Sequence, residues 1–158
     1  MKKIKILAFS LLAFSASFLT GCYEEPDLIS EITTSKGKVA QISVVWLGTT
    51  RTTTSNTSVV ANLTAPAGSN TNFNIEYTTL VPVKEFRVYW AATSTGAQTL
   101  LTTIPAGTQK YDPVLRNYVL AVPITAQPTA KTTRVFFAEI VTENGLLSAQ
   151  KSATLTAN

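Results

Sequence analysis

From about residue 38 onward, apolar and polar side chains alternate along short runs that Gly and Pro repeatedly cut off, and this period of two leaves little choice of fold. Phe73, Ile75 and Tyr77 alternate with Asn72, Asn74 and Glu76. In extended backbone successive side chains point to opposite sides, so this run predicts a strand with one apolar and one polar face. No window carries apolar residues at helical spacing for three turns. Thr, Val, Ile and aromatic residues crowd the same region, and their branched or flat side chains suit a pleated, half-buried surface. The region is therefore read as all-β.

Strands are expected at 39–47, 58–63, 73–77, 85–92, 98–104, 116–124, 134–142 and 146–155, divided by turn residues. Pro123 lacks a ladder donor and predicts an edge or a bulge. Glu143-Asn144-Gly145 predicts a hairpin turn, with Gly145 supplying the positive φ. Trp46 and Trp90 each sit on the apolar side of a run and are expected in the core. Seven or eight short strands with turns every 8 to 14 residues predict a β-sandwich.

The first residues are of another kind. Met-Lys-Lys-Ile-Lys precedes an apolar run from Ile6 to Leu19, too short for a spanning helix and followed by small residues. The ending Leu19-Thr20-Gly21-Cys22 resembles the lipobox of bacterial lipoproteins at all four positions. That resemblance implies cleavage before Cys22 and acylation of Cys22, and several acyl chains on one residue give stable membrane anchoring. The expected organisation is a lipoprotein signal peptide at 1–21, a flexible tether at 22–37 and the sandwich at 38–158. In the tether, Glu24, Glu25 and Asp27 resemble the acidic export signals of Bacteroidota surface lipoproteins, which implies a lipid-anchored place in the outer membrane facing the exterior. A solvated linker of ordinary charge is the plain alternative.

Two stretches give the sandwich a family resemblance. Glu85-Phe-Arg-Val-Tyr-Trp90 is similar to strand C of fibronectin type III and related immunoglobulin-like domains. The run from Phe136 to Gly145, followed by Ser148 and Ser152, is similar to their F–G hairpin. The Trp usual on strand B is missing, with Phe73 or Tyr77 in that region, and Phe136 replaces the usual tyrosine of strand F. The resemblance implies an immunoglobulin-like sandwich of undetermined subfamily. With lipobox and acidic tether, it resembles small Bacteroidota surface lipoproteins, many of which accompany glycan-capture systems.

Composition removes most chemistries. There is no His, and the single Cys is the lipobox residue, so zinc and copper lack their usual ligands and no metal or cofactor is expected. Setting aside Lys2, Lys3 and Lys5 from 13 basic residues leaves ten against nine acids, too balanced for a nucleic-acid partner. A two-carboxylate site would have to come from Glu76, Glu85, Asp112, Glu139 and Glu143; Glu76 and Glu139 read more simply as solvated or as ion pairs with Arg87 or Lys84. Asp112 before Pro113 reads as a turn residue. No catalytic residues are assigned, and the chain is not expected to be an enzyme. If Phe136, Ala138 and Ile140 face inward, Phe137 faces outward beside Arg87 and Tyr89, whereas the reverse phase, or a covering loop, would bury Phe137. An exposed patch of Arg87, Tyr89 and Phe137 would suit sugar stacking or a protein partner. Tyr111 and Tyr118 are expected to line a sandwich end. The expected function is a binding module for glycans or an outer-membrane protein partner, with a structural or assembly subunit as the alternative.

Overall fold

The computed structural model describes residues 37–54 and 58–158, all within one compact unit, Ser35–Asn158. The signal, Cys22 and the acidic cluster at Glu24, Glu25 and Asp27 lie outside the described residues. Nine strands are described: β1 (Gln41–Leu47), β2 (Leu63–Ala65), β3 (Asn70–Thr78), β4 (Val83–Ala91), β5 (Thr99–Pro105), β6 (Lys110–Asp112), β7 (Asn117–Thr125), β8 (Thr133–Thr142) and β9 (Lys151–Ala157). They form two sheets, ordered β1-β3-β7-β6 and β2-β9-β8-β4-β5, with every pair antiparallel except β2–β9. The protein is an all-β sandwich.

Alternation decides what lies between the sheets. Phe73, Ile75 and Tyr77 of β3 and Leu120, Val122 and Ile124 of β7 meet Phe86 and Val88 of β4 and Phe136, Ala138 and Ile140 of β8, all buried. Rings interlock across the layer, Phe73 with Phe136 at 5.9 Å and Tyr77 edge-on to Phe86 at 5.2 Å. Each large apolar side chain so buried contributes about 1.5–3 kcal/mol. Burial, with the Tyr118 ring beside it, raises the pKa of the Tyr77 hydroxyl above its ordinary value.

Three departures from the expected strands have local causes. The second strand is β2, later than 58–63, because residues 52–54 and 58–60 bond to one another: Val60 N–H donates to the Thr52 carbonyl (2.9 Å) and Thr54 N–H to that of Ser58 (2.8 Å). The chain then crosses to pair with β9. The short β6 was not expected; its three residues end where Asp112 Oδ1 accepts from Val114 N–H (2.8 Å) and Leu115 N–H (3.0 Å), the anticipated turn. The final strand starts at Lys151, with only an isolated bridge between Leu147 and Val141 before it. Pro123 lies in β7 beyond the reach of β6, which covers only Asn117 to Val119, so its missing N–H costs no ladder bond on that side. The turn at Gly145 has φ +80°, and its N–H donates to the Thr142 carbonyl at 2.8 Å.

Candidate functional site

The two central strands of the five-stranded sheet build its outer surface. Their register sets Arg87 opposite Glu139, Tyr89 opposite Phe137 and Ala91 opposite Val135. Arg87, Tyr89 and Phe137 therefore share one face, opposite to that of Phe136 and Ala138. They do not form the exposed patch expected of them: Phe137 is only 6% exposed. It packs with Ala91 and Val135 into a second, small apolar cluster on the outside of the sheet, with Tyr89 against it. On the same sheet, two amides far apart in sequence also meet. Gln98, just before β5, and Gln150, just before β9, stand on opposite sides of the β4–β8 pair. Their amides exchange hydrogen bonds of 3.1 and 3.3 Å across it.

Around that cluster the face is polar and connected. Glu85 Oε1 accepts from Arg87 Nε at 2.8 Å and lies 2.7 Å from Nη2. This hydrogen bond, outweighing the desolvation that opposes it, raises the Arg87 pKa above its ordinary value. Arg87 Nη1 lies 3.8 Å from Glu139 Oε1. Glu139 also accepts from the Tyr89 hydroxyl (3.4 Å) and from Gln150 Nε2 (3.3 Å). Arg87 and Tyr89 remain half-buried while Glu139 is largely covered. The result is a surface offering a guanidinium, a phenol, two carboxylates and two amides over an apolar floor. Such donors and acceptors, at fixed spacing beside an aromatic ring, suit a ligand rich in hydroxyls. Gln98 and Gln150 were not anticipated, because nothing local in the sequence relates residues 52 positions apart.

The opposite outer face carries the other buried carboxylate. Glu76, 1% exposed, accepts from Trp46 Nε1 at 2.8 Å and from Arg51 Nε at 2.6 Å. Its partner is thus Arg51 rather than Arg87 or Lys84. Asn74 Nδ2 donates to the Gly48 carbonyl at 2.9 Å, tying the same segment down. Trp46, expected in the core, is buried as expected at 7% exposure, but on the outer side of its sheet rather than between the sheets. An irregularity between Ile42 and Val44 inserts Ser43 without a partner, so the register turns Val45 and Leu47 inward and Trp46 outward. Trp90 does pack against the core. Because Glu76 and Glu139 occupy opposite outer faces, with the whole core between them, they do not form a carboxylate pair. Among the described residues no three Asp, Glu, His or Cys side chains gather as metal ligands. Tyr118 stacks on Tyr77 at 5.5 Å, and the half-exposed Tyr111 meets it edge-on at 5.2 Å, carrying an aromatic row from core to surface.

No protein-family model matches the chain, and no curated protein does. Solved structures that the chain partly matches include a family 76 glycoside hydrolase from a bovine Bacteroides thetaiotaomicron strain, at 13% identity and TM-score 0.38 over 60% of this chain and 18% of that one. An AA10 lytic polysaccharide monooxygenase from Streptomyces lividans has 14% identity and TM-score 0.41, over 65% and 62%. A Niemann-Pick type C2 protein from the Japanese carpenter ant has 11% identity and TM-score 0.41, over 75% and 94%. This chain spans only part of the hydrolase and of the monooxygenase, and likeness at this level carries no argument about activity.

Proposed function

We propose that the chain is a lipid-anchored, non-catalytic binding module on the outer membrane, facing the exterior and built on an immunoglobulin-like sandwich. Support for the fold reading is the strand order: β1-β3-β7-β6 follows the A-B-E-D order of immunoglobulin domains, and β9-β8-β4 follows G-F-C. The anchor reading rests on the lipobox at Cys22 and the acidic residues after it. The binding reading rests on one observation above all, the connected polar face of Arg87, Glu85, Tyr89 and Glu139 around Phe137. Its ligand is a glycan, because hydroxyl-rich rings use both a phenol ring and paired donors and acceptors.

The test is retention of the full chain on a panel of immobilised polysaccharides. Wild type is expected to bind a subset of them, and Tyr89→Ala to lose at least ten-fold on that subset. Failure to bind any, or equal binding by the variant, would move the function off this face.

The assembly reading has its own observation. β5, like β1, is a seven-residue edge strand without a charged side chain, whereas β6 carries Lys110 and Asp112 and β2 is three residues long. An uncharged edge is a template for pairing with another strand. Mixed oligomers that disappear on Thr102→Lys, in chemical cross-linking of whole membranes, would favour this second reading.

A further inference from the structure

Inward positions on β8 are held by Phe136, Ala138 and Ile140, all buried. The same alternation turns Arg134 inward, and its register partner, Leu155, is a core residue. Arg134 is half-buried there, a guanidinium at a position the pattern reserves for an apolar side chain and open to the cleft it lines. Here Cζ lies 4.1 Å from the Trp90 ring centroid. With the Gln127 amide turned oxygen-first, that oxygen accepts from Arg134 Nη2 at 2.6 Å and from Nε. Neither partner carries a charge. Among the described residues no carboxylate lies within ion-pair distance of Arg134, and Nη1 has no acceptor.

Arg134 forms part of the wall of a cleft of about 520 Å³ between β5 and β7. The cleft exists because β6 pairs with β7 only over Asn117 to Val119, leaving the later half of β7 without a neighbour on that side. Its floor is apolar, made by Leu101, Ile104, Val122, Ile124 and Phe136. That volume lies within the range of about 300–1,000 Å³ usual for small-molecule sites. We infer that the cleft takes a single-chain amphiphile with a carboxylate head, the head on Arg134 and the tail along the apolar floor. The guanidinium fork matches a carboxylate with two parallel N–H donors, and the stacked Trp90 holds that fork in place. This site lies between the sheets and is separate from the outer face that carries the glycan reading.

A photoreactive twelve-carbon carboxylic acid, added to membranes containing the full chain, tests the assignment. After irradiation, peptide mass spectrometry is expected to find adducts on β5 and β7 peptides. Excess dodecanoate should compete them away, and dodecanol should not. Arg134→Gln should reduce labelling at least five-fold. Leu101 is 42% exposed, so Leu101→Asp removes part of the floor without emptying the core and should have a similar effect even if Arg134→Gln perturbs the fold. Labelling that is unchanged in both variants, equal competition by dodecanol, or adducts confined to other strands would each overturn the inference.

Discussion

Phe137 shows how a side chain can sit on the outer face of a sheet and still be structural. Its direction was legible from the Phe136, Ala138, Ile140 alternation, and the register agrees. Its burial was not, because Ala91, Val135 and Tyr89 gather around it only once β4 and β8 are paired. Replacing a buried Phe by Ala removes its contacts and leaves a cavity, so Phe137→Ala should lower stability by about 3 kcal/mol. Arg87→Ala should stay near the roughly 0.5 kcal/mol typical of surface changes. Chemical denaturation of the two variants checks both values, and a Phe137→Ala midpoint at the wild-type position would mean that the outer cluster contributes nothing. Glu76 makes the same point on the other sheet. A carboxylate at an outward position reads as solvated, yet Trp46 and Arg51 cover it. Glu76→Ala would leave the Trp46 indole N–H and the Arg51 guanidinium without their acceptor, at a cost of about 1–3 kcal/mol or more. The thermal midpoint should fall accordingly, more than for alanine at the exposed Glu143.

Strand existence followed from period and punctuation, whereas strand phase depended on pairing. β3 reads directly from Phe73, Ile75 and Tyr77, but the run Val44-Val45-Trp46-Leu47 has no alternation to read. Its phase is settled by the unpaired Ser43, which appears only against β3. β2 was displaced for a similar reason: Ser58 and Val60 bond to Thr54 and Thr52, and the strand forms where Leu63 meets Leu155. The turn at the end of β8 was legible, since Gly145 occupies a left-handed φ of +80° that other residues adopt only with strain, though β9 starts at Lys151 rather than directly after it. No heavy atom lies within 4 Å of an added Cβ there, so Gly145→Ala should cost only the backbone term, about 1 kcal/mol. Thermal melts compare it with wild type, and an unchanged midpoint would show that the turn tolerates the substitution without strain.

For the whole molecule, the proposal joins an anchor read from residues 19–22 to a face read from β4 and β8. Cys22→Ser should abolish metabolic labelling with palmitate and leave an uncleaved precursor; undiminished labelling would remove the anchor from the account. The face is the more demanding half, since the alternation brought Arg87, Tyr89 and Phe137 to one side, while the structure separates them into two polar members and one buried support. The most direct measurement takes intact cells carrying wild type or the Arg87→Ala, Tyr89→Ala double variant. Surface display is scored by antibody, and capture by fluorescent polysaccharides from the panel. Equal display with capture reduced at least ten-fold in the double variant is the expected result. Equal display with equal capture would contradict it.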